Sequence, residues 1–274
     1  MGRRFRSAQL PETRRAGGRA AHYTAPSNGE RSGRDAGLRE VGQKGGALDW
    51  HKFDTAWARR PGAQAAREVI LTRILGPVIE HYTHPTAVGR EIFDGLKAPV
   101  VFAANHSSHL DTPSILRAFP RDWRRKTAPI AAADYFYKNR VVASLVTLSF
   151  ATFPIERRGL SKLTTDRLAR LIDDGWSVLV YPEGTRSRNG EMGTLRSGAG
   201  FIAVEHSLPL VPIFVMGTSR SMPVGRPWPR KHAVVIYFGT PIYPAPGDDH
   251  RSKTAQLQQS LERMRRDSSP FEQG

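Results

Sequence analysis

The chain has 274 residues, 39% hydrophobic and 24% charged, a balance that suits one α/β domain with a sizeable core. It has no cysteine, which excludes a disulfide scaffold, a thiol nucleophile and a Cys-ligated zinc site. A formal net charge of +16 points to a polyanionic partner, either nucleic acid or an anionic membrane surface, and charge alone does not choose between them.

Residues 1–47 are rich in Gly, Arg, Ala and Ser and poor in large apolar side chains, so a disordered basic tail is expected there. Residues 1–60 carry 13 Lys/Arg against 6 Asp/Glu. The arginine pair Arg3-Arg4 is followed by no apolar run, so no export signal is expected. Residues 48–60 interleave Leu48, Trp50, Phe53 and Trp57 with Lys52, Arg59 and Arg60. Residues 64–82 place Ala65, Val69, Ile70, Ile74, Leu75, Val78 and Ile79 near helical spacing, with a kink expected at Gly76-Pro77. These segments form an N-terminal helical region over 48–84, leaving 85–274 as the α/β domain.

From residue 99 onward, short apolar runs alternate with helical patterns. Strands are predicted at 99–104, 127–133, 176–181, 209–215 and 233–238. Helices are predicted from Thr112-Pro113 and at 139–152, 161–174, 197–206 and 250–266. This alternation predicts an α/β fold with a mixed, mostly parallel sheet flanked by helices. No run of 18 or more uncharged apolar residues occurs, and the longest candidate, 141–153, reads as a buried or interfacial helix.

Two polar clusters follow apolar strands. Asn105-His106-Ser107-Ser108-His109-Leu110-Asp111 comes directly after the 99–104 run, and Tyr181-Pro182-Glu183-Gly184-Thr185-Arg186-Ser187-Arg188 follows 176–180. Open α/β sheets hold ligands at the carboxyl ends of their strands. His106 has the residue type of a general base, and Asp111 that of the carboxylate which fixes the imidazole tautomer. They can meet if His106 precedes a helix and Asp111 sits in its first turn. Arg186 offers a fork of donors matched to phosphate, Gly184 a close backbone approach, and Thr185 a hydroxyl. Glu183 either holds an arginine or binds a substrate hydroxyl. Together they describe equipment for activating a hydroxyl on a phosphate-bearing substrate.

Asn-His-x4-Asp followed by Pro-Glu-Gly-Thr-Arg-Ser resembles the glycerolipid acyltransferases, specifically the lysophosphatidate (1-acylglycerol-3-phosphate) acyltransferase group. Two weaker blocks agree in order and spacing. Thr152-Phe153-Pro154-Ile155-Glu156-Arg157 resembles the family's second block, and Leu208-Pro209-Leu210-Val211-Pro212-Ile213 its fourth. The likeness covers roughly residues 65–245. It implies O-acyl transfer from acyl-CoA or acyl-carrier protein to the free hydroxyl of a lysophospholipid, giving phosphatidate. His106 and Asp111 would be catalytic. Arg157, Glu183, Gly184, Thr185 and Arg186 would bind the acceptor phosphate, and Val211, Pro212 and Ile213 would shape the acyl-donor region. Other acceptors, glycerol-3-phosphate or a lyso-aminolipid, stay open within the class. No cofactor and no metal are expected. The anionic cytoplasmic face of a membrane is the expected partner, reached peripherally or monotopically through Trp50, Phe53 and Trp57, with help from 141–153.

Several features compete with this reading. His109 stands three residues from His106, but no further His/Glu/Asp cluster at metal spacing accompanies the pair. Ser107 and Ser108 lack a Gly-x-Ser-x-Gly elbow, so direct transfer is expected without an acyl-serine. Gly198-Ala199-Gly200-Phe201-Ile202-Ala203 imitates a dinucleotide fingerprint without its preceding strand and reads as close helix packing. The rival from another class is a basic nucleic-acid-binding protein using the Arg-rich tail.

Overall fold

Val100 through Ala104 is apolar at every position, the pattern of a strand covered on both faces, and all of these side chains are fully buried. The computed structural model describes residues 48–156, 161–187 and 190–268. The expected basic tail and Arg157 lie outside the described residues.

The strands are β1 Thr86–Val88, β2 Val101–Ala104, β3 Thr127–Ala132, β4 Phe153–Ile155, β5 Ser177–Val180, β6 Leu210–Met216 and β7 Val235–Phe238. They form one sheet in the order β1-β7-β6-β2-β5-β3-β4. Every neighbouring pair is parallel except β6 with β7. The predicted mixed, mostly parallel sheet is therefore present. β1 and β4 went unpredicted: at three residues each, edge strands are too short to show a period.

Alternation along the central strands divides the core. Val101 and Ala103 of β2, with Val178 and Val180 of β5, pack against Leu168 and Leu171, Ala199 and Ala203, and Leu257 and Leu261. These come from helices Lys162–Asp173, Gly198–Glu205 and His250–Ser268. Phe102 and Ala104 face the other way, joining Leu71, Ile115, Leu116 and Phe119. Gly200 belongs to the fingerprint-like run, and its role is helix contact. A Cβ there would lie 2.4 Å from the carbonyl oxygen of His250, so only glycine lets the two helices approach this closely.

The N-terminal helical region departs from a simple kink. Helix Pro61–Val69 passes into a π-helical turn at Ile70–Ile74, and helix Leu75–Thr83 follows. Pro77 has no N–H for the carbonyl of Arg73, and its ring crowds that carbonyl. The wider π turn just upstream, with Leu75 N donating to Ile70 O, absorbs the mismatch.

Phe53 corrects the expectation of a membrane-facing aromatic. It is 7% exposed and packs on Ala131, Ala133, Tyr137 and Ala143, meeting the Tyr137 ring edge-on at 5.6 Å. Trp50 and Trp57 are half-buried. Packed in this pocket, the Phe53 ring belongs to the core and not to an interface. Phe53→Ala should lower unfolding stability by about 3–5 kcal/mol in a urea titration. A change under about 0.5 kcal/mol, the range of surface substitutions, would return Phe53 to the surface.

Candidate active site

The sheet order places β2 between β5 and β6, all three parallel. Their carboxyl ends lead into Asn105-His106, Tyr181-Pro182-Glu183 and Gly217-Thr218. The two clusters, about seventy residues apart in sequence, are thus neighbours, with a third segment beside them.

Asn105 extends the pairing beyond β2. Its Nδ2 donates to Val215 O at 2.9 Å, and its Oδ1 accepts from Val215 N at 2.7 Å, so one side chain imitates a strand residue toward β6. The following residues then turn into helix Asp111–Ala118, with Asp111 in its first turn. His106 Nδ1 lies 2.8 Å from Asp111 Oδ2. The same oxygen accepts from Ser107 N at 2.7 Å and Ser108 N at 2.9 Å, while Oδ1 accepts from Thr218 Oγ1 at 2.5 Å. A carboxylate acting as acceptor throughout requires a proton on Nδ1, which leaves Nε2 as the acceptor nitrogen of the ring. The imidazole also stacks on Tyr181, centroids 4.0 Å apart. Burial raises the phenol of Tyr181 well above its ordinary pKa, so the ring stays neutral.

The 183–187 turn grips the backbone of His106 from both sides. Glu183 Oε1 accepts from His106 N at 2.7 Å, and Ser187 N donates to His106 O at 2.8 Å. Glu183 Oε2 accepts from Gly193 N at 2.9 Å. Burial raises the Glu183 pKa, while the backbone hydrogen bonds from Gly193 and His106 lower it. Each Glu183 oxygen thus accepts from a backbone amide, while the side chain also lines the adjoining cleft. Its structural work is to hold the base in place.

Arg186 precedes Ser187 in the turn bonded to His106, and its guanidinium carbon lies 5.6 Å from the Tyr135 ring centroid. His109 Nε2 is 3.2 Å from the hydroxyl of the same Tyr135. Burial, followed by the fields of Arg186 and His106, pushes His109 down to about 4, so it is neutral near pH 7. Gly184 has a φ of +73°, and a Cβ there would come 2.9 Å from Nε of Arg196. Thr185 Oγ1 donates to Arg186 O at 3.2 Å. Glu183, Thr185, Arg186, Ser187, Gly193 and Thr194 are among the residues lining an adjoining cleft of about 320 Å³.

Val211, Pro212 and Ile213 fall within the strand predicted at 209–215. They lie inside β6, buried. The strand acts through its end, where Gly217 hands over to Thr218.

Thr218, Tyr135 and Arg196 were absent from the sequence reading. A lone threonine after an apolar strand carries no pattern, and only folding brings Thr218 to Asp111. Thr218 is fully buried, and its hydroxyl also lies 3.0 Å from Ser107 Oγ. Thr218→Val keeps the shape but leaves Asp111 Oδ1 without this donor. Chemical denaturation should show a loss of about 1–3 kcal/mol, mostly restored in Thr218→Ser. An unchanged midpoint in Thr218→Val would remove the hydroxyl from the network.

The Acyltransferase family model matches residues 49–216. The chain is 29% identical over 169 residues to a chloroplastic 1-acyl-sn-glycerol-3-phosphate acyltransferase of Brassica napus, covering 58% of this chain and 45% of that protein. It is 32% identical over 146 residues to a 1-acyl-sn-glycerol-3-phosphate acyltransferase of Chlamydomonas reinhardtii, covering 52% and 41%. The chain thus spans a little under half the length of these relatives. The fold resembles that of the 1-acyl-sn-glycerophosphate acyltransferase of Thermotoga maritima, with a TM-score of 0.58 at 21% identity over 77% of this chain and 80% of the other. With the family match extending over more than half of its residues, from the N-terminal helices to the end of β6, the chain belongs to the acyltransferase family.

Proposed function

We propose that the chain transfers a fatty acyl group from acyl-CoA or acyl-carrier protein to the free hydroxyl of 1-acylglycerol-3-phosphate, producing phosphatidate at a membrane surface. The observation that carries this reading is the 2.8 Å His106–Asp111 pair at a strand end, with the Arg186-bearing turn bonded to the backbone of His106. Nε2 of His106 takes the proton of the acceptor hydroxyl as its oxygen attacks the thioester carbonyl. The tetrahedral intermediate collapses, the carbon–sulfur bond breaks, and the departing thiolate recovers the proton from the imidazolium. Asp111 holds the tautomer and stabilises the transient positive charge. Arg186 supplies the fork for the acceptor phosphate. The names of the relatives in Brassica napus and Chlamydomonas reinhardtii support 1-acylglycerol-3-phosphate over the other acceptors.

A lipid acceptor and product require the site to work at a bilayer. No helix among the described residues is long and apolar enough to cross a membrane. Surface attachment is supported by apolar side chains exposed one helical turn apart. Ile74 and Val78 are 59% and 45% exposed, and Val141 and Leu145 of helix Arg140–Phe150 are 66% and 59%.

Two substitutions test the chemistry in a lipid-product assay. His106→Ala should fold normally and lose activity by about 100-fold or more. Near-normal turnover in the folded variant would dismiss the mechanism. Arg186→Lys keeps the charge but not the planar fork, so the apparent KM for the lysolipid should rise with little change for the acyl donor. An equal rise for both substrates would make Arg186 a structural residue.

A further inference from the structure

A second surface adjoins the site that acyl transfer does not use, the loop between Ser221 and Arg230. No Asp or Glu occurs from His206 to Gly247, whereas Arg226, Arg230 and Lys231 are exposed on or beside this loop. Its neck is closed. Ser221 Oγ donates to Arg230 O at 2.7 Å, Arg230 N donates to Ser221 O at 2.9 Å, and Arg230 Nε donates to Arg220 O at 2.7 Å. Within it, Arg226 N donates to Pro223 O at 3.1 Å, and Pro223, Pro227 and Pro229 restrict the backbone. The loop presents Trp228 at 75% exposure and Val224 at 39%.

The loop is also tied to the reacting groups. Ser108 Oγ donates to Met222 O at 2.7 Å, and Thr218, just before the neck, donates to Asp111. On the return side, His232 N donates to Tyr82 O and Val234 N to Thr83 O, fastening it to helix Leu75–Thr83, which exposes Val78.

We propose that the Ser221–Arg230 loop is a membrane-docking element. Trp228 seats in the headgroup boundary of an anionic bilayer, and Arg226 and Lys231 lie against lipid phosphates. An indole flanked by prolines and cations, without acidic neighbours, has the chemistry of an interfacial anchor. The absence of any acid from His206 to Gly247 matches the loop to a uniformly anionic surface. Here the exposed neighbours of Trp228 include Arg226, Arg230 and Lys231, which remain hydrated unless they meet anions. The neck passes the loop's position to His106 through Ser108 and Asp111, so docking sets the height of the base above the surface. The inference rests on the lipid acceptor proposed above.

The test uses the full chain with two sets of vesicles, phosphatidylcholine alone and phosphatidylcholine with phosphatidylglycerol. In flotation, Trp228→Ala should lose binding to both. Arg226→Gln/Lys231→Gln should lose binding to the anionic vesicles only, by about fivefold per charge removed. Vesicles with brominated acyl chains should quench more tryptophan emission in wild type than in Trp228→Phe. Turnover of a short-chain, water-soluble acceptor should be unchanged in Trp228→Ala, which also shows that the variant is folded. Wild-type flotation of Trp228→Ala, or no vesicle binding by the wild type, overturns the proposal. A raised KM for the acyl donor with intact flotation also overturns it and makes the loop a donor site. If wild type acylates no acceptor, the functional reading fails, while flotation and quenching still judge the loop.

Discussion

The structure around the site depends on one buried carboxylate. Asp111 has no exposed surface, and its two oxygens accept from the ring of His106, two successive backbone amides and the hydroxyl of Thr218. A buried carboxylate is tolerated only when its acceptor positions are met by donors. Those donors come from the β2–helix turn and from the end of β6. Satisfying Asp111 therefore fixes three things together: the imidazole tautomer, the course of Ser107-Ser108, and the docking of the segment after β6.

A second carboxylate plays the complementary role. Glu183 takes the backbone N–H of His106 and of Gly193, joining the β5 turn to the base from the opposite side. Asp111 controls the ring and Glu183 controls the backbone, so neither degree of freedom of His106 is left to chance. Such preorganisation matters because a base misplaced by about 1 Å can cost on the order of 100-fold in rate. Glu183 and Arg186 are separated by two residues and both line the cleft, Glu183 holding backbone amides and Arg186 resting against Tyr135.

Histidine choice follows from the same arrangement. His106 and His109 both lie near the strand end, but only His106 meets a carboxylate. His109 rests against Tyr135, and burial together with the field of Arg186 keeps it neutral. The electrostatic environment thus separates two chemically identical side chains. The chain's large positive charge acts at longer range, attracting anions to the surface without deciding which atoms react.

Much was legible in the sequence because it is local. The buried strands showed as apolar runs at Val100–Ala104 and Trp176–Val180, and the helices as 3.6-residue periods. His-x4-Asp could be read as a base with its orienter because a helix start can bring that spacing together. The sequence also carried the blocks on which the family resemblance rests. What it could not carry was anything set by contacts between distant segments. Thr218 reaches Asp111 only because β6 lies beside β2; Glu183 meets the amide of His106 because the β5 turn folds over it. Phe53 is drawn from the surface by Tyr137 and Ala143, far along the chain. Local spacing determined which residues were available for chemistry, whereas burial and nonlocal hydrogen bonding decided which of them face the cleft and which hold the others still.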